Sequence, residues 1–324
     1  MAKIDLYQEV TNAIVAELEA GTVPWKQPWS RSPGRNVVAN AVTKRAYSGI
    51  NVLALWIAMA KHGYAVPRFL TFKQALDAGG NVRKGEHGHR VYFVKDLKFE
   101  DGENADGEER TRSVRMLKRF VVFNVAQCEG LPERLLTIPP PKARNPDGRD
   151  EWADAFVAAT GARIIEGAGD VASYNPRTDT INVPAFGSFK SRDTYYAASF
   201  HELTHWTEAK SRTDRATALA KRFGTGDRPA VHVRAAEELV AELGASFLCA
   251  EFAFDNDNAA GYIANYLELL KSDAKAIFTC ASQAQKAVDY LRGLALAESA
   301  EVEIADTVAP APLSDHMHSI GGGV

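Results

Sequence analysis

His201-Glu202-Leu203-Thr204-His205 constrains this chain more than any other stretch. Two imidazoles four residues apart lie one turn apart on the same face of a helix. A carboxylate beside the first histidine completes the arrangement of two metal ligands and a general base used by zinc peptidases. Residues 191–210 read as one helix around the motif. Ser191 is its N-cap, and Asp193 places a negative charge in its first turn, where the helix dipole favours one.

Two histidines need a third protein ligand. The helix expected over 234–252 offers Glu237, Glu238 and Glu242, of which Glu238 and Glu242 share a face. We place Glu238 on the metal and Glu242 one turn on, accepting a hydrogen bond from the far nitrogen of a ligand histidine. Glu237 lies about 100° round the helix, so only one of the adjacent pair points at the metal. Two His and one Glu leave a position open for water, with Glu202 as the base that takes its proton. Zinc is the expected ion, and manganese or cobalt accept the same ligands. Tyr195, Tyr196, His232 and Arg234 are the candidates for oxyanion or substrate contacts, and the sequence does not choose among them.

The rest of the second half reads as scaffold. A helix over 151–159 precedes three short strands near 163–165, 172–175 and 180–184, expected as a β-meander, with Pro184 marking an edge or a strand end. Helices over 259–270 and 273–294 carry apolar residues at helical spacing. The tail from 301 has little pattern and is expected to be disordered. Leu136 to Asp150 holds four prolines, which makes 131–148 a stiff connector between two domains.

Charge divides at the same place. Residues 1–130 hold 19 Lys and Arg against 14 Asp and Glu, and six of those acids fall between Glu100 and Glu109. Residues 131–324 hold 19 against 27. A basic first module that carries an acidic mobile loop near 100–110 suggests a polyanionic partner for that half.

Inside the first module a helix over 5–20 leads to Val23-Pro24-Trp25-Lys26-Gln27-Pro28-Trp29-Ser30-Arg31. Its tryptophans either stack bases while Lys26 and Arg31 hold phosphates, or clasp the core. Arg45, Tyr47 and Asn51 stand at the start of a helix over 50–61, a place suited to phosphate or sugar contacts, although capping alone would explain Asn51. Arg83, Lys84 and Arg90 form a basic turn before a strand at 91–95 that carries Tyr92. Lys118 opens the return strand, 118–125. An antiparallel sheet with a basic rim and exposed aromatics suits single-stranded nucleic acid, and no helix-turn-helix or zinc-finger spacing is present.

Three well-separated cysteines fit a reducing cytoplasm. No apolar stretch reaches the length of a membrane span, and the start lacks a signal core.

The chain resembles the ArdC family of plasmid-encoded antirestriction proteins along nearly its whole length. In the first part the resemblance rests on Gly21-Thr22-Val23-Pro24-Trp25, Pro28-Trp29, Tyr47-Ser48-Gly49-Ile50-Asn51 and Lys84-Gly85-Glu86. These are similar to a single-stranded-DNA-binding region shared with plasmid primases. In the second part it rests on Tyr195-Tyr196, on the segment from His201 to Thr207, and on the segment from Glu237 to Gly244. These look like the zincin-like metallopeptidase domain of polyvalent proteins. The resemblance implies a two-domain α+β protein that binds single-stranded DNA and protects an incoming conjugating plasmid from type I restriction. The rival reading is a working metalloprotease that cleaves a host or restriction-system protein, with the basic module only localising it.

Overall fold

The computed structural model describes residues 6–25, 37–103, 109–138, 148–256 and 263–308. Helix α1 (Leu6–Glu19) opens the chain, followed by β1 (Ala39–Asn40), α2 (Ile50–His62), β2 (Arg68–Leu70), α3 (Phe72–Asp77) and β3 (Asn81–Val82). A long ribbon of β4 (His89–Glu103) and β5 (Glu109–Asn124) comes next, then β6 (Cys128–Glu129) and α4 (Glu133–Leu136). The second half holds α5 (Glu151–Ala159), β7 (Arg163–Glu166), β8 (Ser173–Asn175), β9 (Thr180–Val183), α6 (Arg192–Trp206), α7 (Arg215–Phe223), α8 (Pro229–Phe252), α9 (Ile263–Ser272) and α10 (Ala276–Val308). The architecture is α+β in two parts: a curled four-stranded sheet of order β1-β2-β5-β4 with its helices, and a mainly helical part with a three-stranded sheet.

Several elements differ from the sequence reading. The β4–β5 ladder does not stop at an acidic loop; pairing continues through Glu100–Thr111 to Glu103–Glu109, and 104–108 lie outside the described residues. The expected connector starts as packed structure, because Leu131 and Leu135 are buried with Val125 and Cys128. Residues 139–147 lie outside the described residues. The second sheet is not a meander. Its order is β7-β9-β8, with β9 parallel to β7 and antiparallel to β8. Ile181 and Val183 are buried, so the most apolar strand takes the centre, and Pro184 lies just past its end. Helix α10 runs on to Val308, through the first residues of the expected disordered tail. Residues 309–324 lie outside the described residues.

The two parts share one continuous apolar core. The buried Trp25 ring meets Tyr266 of α9 edge-on at 6.0 Å, and Trp56 of α2 meets Phe247 of α8 at 5.9 Å. Thr11 Oγ1 donates to the Ala274 carbonyl at 2.7 Å. Gly49, at φ 56°, starts α2 with its amide donating to Gln285 of α10 at 3.2 Å. A Cβ there would stand in ordinary contact with the Ala281 carbonyl oxygen at 3.6 Å, and few side chains tolerate that backbone conformation. The start of α2 therefore abuts α10.

Candidate metal centre and nucleic-acid surface

Helix α6 carries both histidines because its start is well defined. Ser191 Oγ accepts the Thr194 amide at 3.2 Å, and the Thr194 hydroxyl accepts the Ser191 amide at 3.1 Å. Helix α6 packs against β8 and β9 on one side and α8 on another. The α6–α8 approach is close where Gly244 faces Thr204: a Cβ on Gly244 would stand 2.6 Å from both Thr204 Cγ2 and Oγ1. That closeness brings the histidines to α8.

The Nε2 atoms of His201 and His205 are 3.1 Å apart. Glu238 Oε2 lies 3.6 Å from His201 Nε2 and 3.7 Å from His205 Nε2. Two imidazole nitrogens that close require a proton or a cation between them. Donors each about 2.0–2.1 Å from a tetrahedral zinc stand about 3.3–3.4 Å apart. The observed separations bracket that spacing, and two imidazoles with one carboxylate are donors suited to a divalent ion. Glu202 follows His201 on the same helix and is buried.

A second carboxylate fixes His205. Glu237 Oε1 lies 3.1 Å from His205 Nδ1, the place the sequence reading gave to Glu242. Glu237 is itself gripped by Arg215, the first residue of α7, through Nε to Oε2 at 2.9 Å and Nη2 to Oε1 at 2.6 Å. Arg215 is fully buried and also donates to Thr207 Oγ1 and to the Thr204 carbonyl, both at 2.6 Å. Adjacent glutamates thus divide the work: Glu238 joins the histidine nitrogens, and Glu237 holds the back of one ring. Glu242 is buried one turn further on, and its backbone carbonyl accepts the Ser246 hydroxyl at 2.8 Å.

Burial alone would lower the pKa of His205, but hydrogen bonds to Glu237 and Glu238 outweigh it and push the imidazole up to about 10. Burial would raise Glu238, yet His201 and His205 hold its carboxyl well below the usual range. Burial likewise opposes Glu237, which Arg215 and His205 keep ionised. The centre is a charge-balanced network.

The four candidates for substrate contact separate. Tyr195 and Tyr196 stand on α6 one to three turns before the histidines, with their hydroxyls engaged. Tyr195 bonds Arg149 and Glu166, each at 3.1 Å, and Tyr196 donates to Asp154 at 2.7 Å. His232 Nε2 faces Glu268 of α9 at 3.4 Å. Arg234 is exposed and lines a cavity of ≈ 550 Å³ whose wall includes Leu219, Val233, Glu237 and Glu238.

The first half sorts its candidates too. Trp25 is core, and so are Asn51 and Tyr92. Asn51 Nδ2 donates to the Tyr92 carbonyl at 2.7 Å, and the Tyr92 amide donates back to Asn51 Oδ1 at 2.6 Å. The Tyr92 ring packs edge-on against Phe278. All three are buried. Lys26, Trp29 and Arg31 lie outside the described residues. Arg45 and Tyr47 line a cavity of ≈ 320 Å³ together with Trp56, Phe247 and Arg292. Arg83 pairs with Glu86 and Arg90 with Glu9, while Lys84 and Lys118 are exposed. Among the described side chains of the ribbon, the exposed aromatics are Phe93 and Phe120.

The helical part and its triad define a zincin-like metallopeptidase fold, and residues 151–283 match the family of zincin-like metallopeptidases. Residues 4–123 match the N-terminal domain of anti-restriction factor ArdC. The ArdC protein of plasmid R388 in its metal-free crystal structure is 39% identical, with a TM-score of 0.75 over 91% of this chain and 99% of that one. Its Mn(II)-bound structure gives 0.68 over 90% and 98%. An uncharacterized protein, y4eC of Sinorhizobium fredii, is 37% identical over 89% of this chain and 91% of its own length. The DNA primase TraC of Escherichia coli is 34% identical over 95% of this chain, which spans 29% of that protein. The chain belongs to the ArdC family. Among the described residues no helix is long and apolar enough to cross a membrane.

Proposed function

We propose that this protein is an antirestriction protein whose first half binds single-stranded DNA and whose second half carries a metal-dependent, peptidase-like centre. The observation that carries the reading is the combination in one chain of the ArdC fold over 91% of its length and an intact His201–His205–Glu238 triangle. Protection of an incoming conjugating plasmid from type I restriction is the role that fits. Three free cysteines support a cytoplasmic setting.

His201, His205 and Glu238 would hold zinc, with manganese or cobalt as substitutes; a relative of the same fold has been crystallised with Mn(II), which supports a divalent ion. A bound ion of this kind supplies a water of lowered pKa and polarises a carbonyl. Glu202, buried next to His201, would be the general base and acid of such a centre. Glu237 and Arg215 keep the His205 ring in the orientation that presents Nε2. Arg234, at the cavity beside Glu238, is the remaining candidate for the developing oxyanion.

The test is antirestriction in cells carrying a type I system, with wild type beside Glu202→Ala at matched levels. Protection retained by Glu202→Ala assigns antirestriction to DNA binding. Protection lost, with metal content and DNA affinity intact, makes hydrolysis part of the mechanism and favours a cleaved host or restriction-system protein. No protection by wild type overturns the reading.

A further inference from the structure

We propose that Phe93 and Phe120 form the base-stacking station of the single-strand surface, with Lys118 as its phosphate partner. This rests on the reading of the first half as a DNA-binding module.

The two rings lie on one face of the β4–β5 ribbon. Register puts Val91 opposite Phe120 and Phe93 opposite Lys118, and His89 opposite Val122 on the same face. That face changes character along its length. Val91 and Val122 are 1% and 2% exposed, whereas Phe93 and Phe120, two residues further out, are 47% and 49% exposed. Their centroids are 5.4 Å apart with planes at 79°. Such an edge-to-face pair braces each ring while leaving ring surface to solvent. Two phenyl rings half in water on a sheet are a cost to an isolated fold, and an exposed apolar patch of this kind marks a contact surface.

Charge complementarity selects the occupant. Lys118 is directly across from Phe93 on the same face and is exposed; Arg119, also exposed, is opposite Tyr92 and points to the other face. Among the described residues neither is in an ion pair, unlike Arg83 and Arg90. A cation with no ion pair among the described residues beside a half-exposed aromatic pair is the arrangement for a nucleotide: base on ring, phosphate on ammonium. A single strand offers bases whose faces are free, while a duplex has already stacked them. The placement also explains why Tyr92 does not serve. Phe278 covers that part of the opposite face.

The test uses the full-length protein and a fluorescein-labelled oligothymidylate, read by anisotropy at several salt concentrations. Phe93→Leu/Phe120→Leu keeps apolar bulk and removes the rings. It should weaken binding about 30- to 100-fold with an unchanged slope of log K against log salt. Phe93→Tyr/Phe120→Tyr should bind within about threefold of wild type. Lys118→Ala should lower the slope by about 0.7. Wild-type affinity in the double Leu variant overturns the stacking station and leaves the DNA-binding reading standing. Equal loss in the Leu and Tyr variants, with unaltered thermal unfolding, also overturns it. No binding of the oligonucleotide by wild type at low salt overturns the DNA-binding reading, and the proposal with it. A tighter fit to duplex of the same length that is insensitive to both rings assigns the surface to another partner and overturns the proposal.

Discussion

The α6–α8 centre and the β4–β5 ribbon use polar groups in opposite ways. In the centre, Arg215 is fully buried and makes four hydrogen bonds of 2.6–2.9 Å, and the charges of Glu237, Glu238 and His205 are all engaged. On the ribbon, Lys118 stands in solvent beside two half-exposed phenyl rings. A metal site gains from preorganisation, because ligands already in place lose little freedom when an ion arrives. A strand-like ligand with variable sequence is better met by an open surface that adapts to each base. Substitutions in the two places should therefore differ in kind: loss of stability at the centre, loss of affinity alone on the ribbon.

The largest effect is expected from Arg215→Met. It takes from the largely buried Glu237 its guanidinium partner and leaves only His205, at a cost of about 3 kcal/mol in a denaturant melt. It also loosens His205, with metal affinity falling about 10- to 100-fold in a chelator competition. Adding Glu237→Leu to Arg215→Met should recover much of the stability but not the metal affinity. Recovery of both would remove the role assigned to Glu237.

Next comes Gly244→Ala. Its Cβ would stand 2.6 Å from the Thr204 side chain, so α6 and α8 must part slightly. The expected loss is about 1–3 kcal/mol with weaker metal binding. A loss of stability without a change in metal affinity would show that the centre tolerates a shift between its two helices.

A smaller effect concerns protons. The His205 pKa, about 10 against an ordinary 6.5, is raised by its carboxylate partners. In the metal-free protein its charge contributes stability that is fully present below pH 6.5 and is lost as pH rises through about 10. A metal needs the neutral ring, so binding near pH 7.5 should release about one proton per ion from this residue. Calorimetry in buffers of different ionisation enthalpy measures it, and no proton release would show that His205 is already neutral.

Smallest is the effect of Lys118→Ala on folding. An exposed lysine with no described ion pair should leave unfolding within about 0.5 kcal/mol of wild type. A larger change would mean that Lys118 is engaged in the folded chain and that the ribbon is not an open surface there.

What the sequence by itself determined is local. The spacing of His201 and His205 put both on one face of a helix, Ser191 marked where that helix begins, and the i,i+4 acids singled out Glu238 on the helix that meets it. These follow from the 3.6-residue period and from the unmet hydrogen bonds of a helix start, which any short segment carries with it. Tertiary structure decided the partners. Arg215 gives no local sign of its role; it is one arginine at the head of an amphipathic helix, 22 residues before the glutamate it holds. Period-2 alternation on β4 does not say whether Tyr92 or Phe93 faces solvent, because Val91 and Tyr92 are both buried, one beneath each face. Trp25 lies in the core because Tyr266 of α9 comes to meet it. Which side of an element is covered depends on segments far away in the chain, and that information is held in the packing rather than in the periodicity.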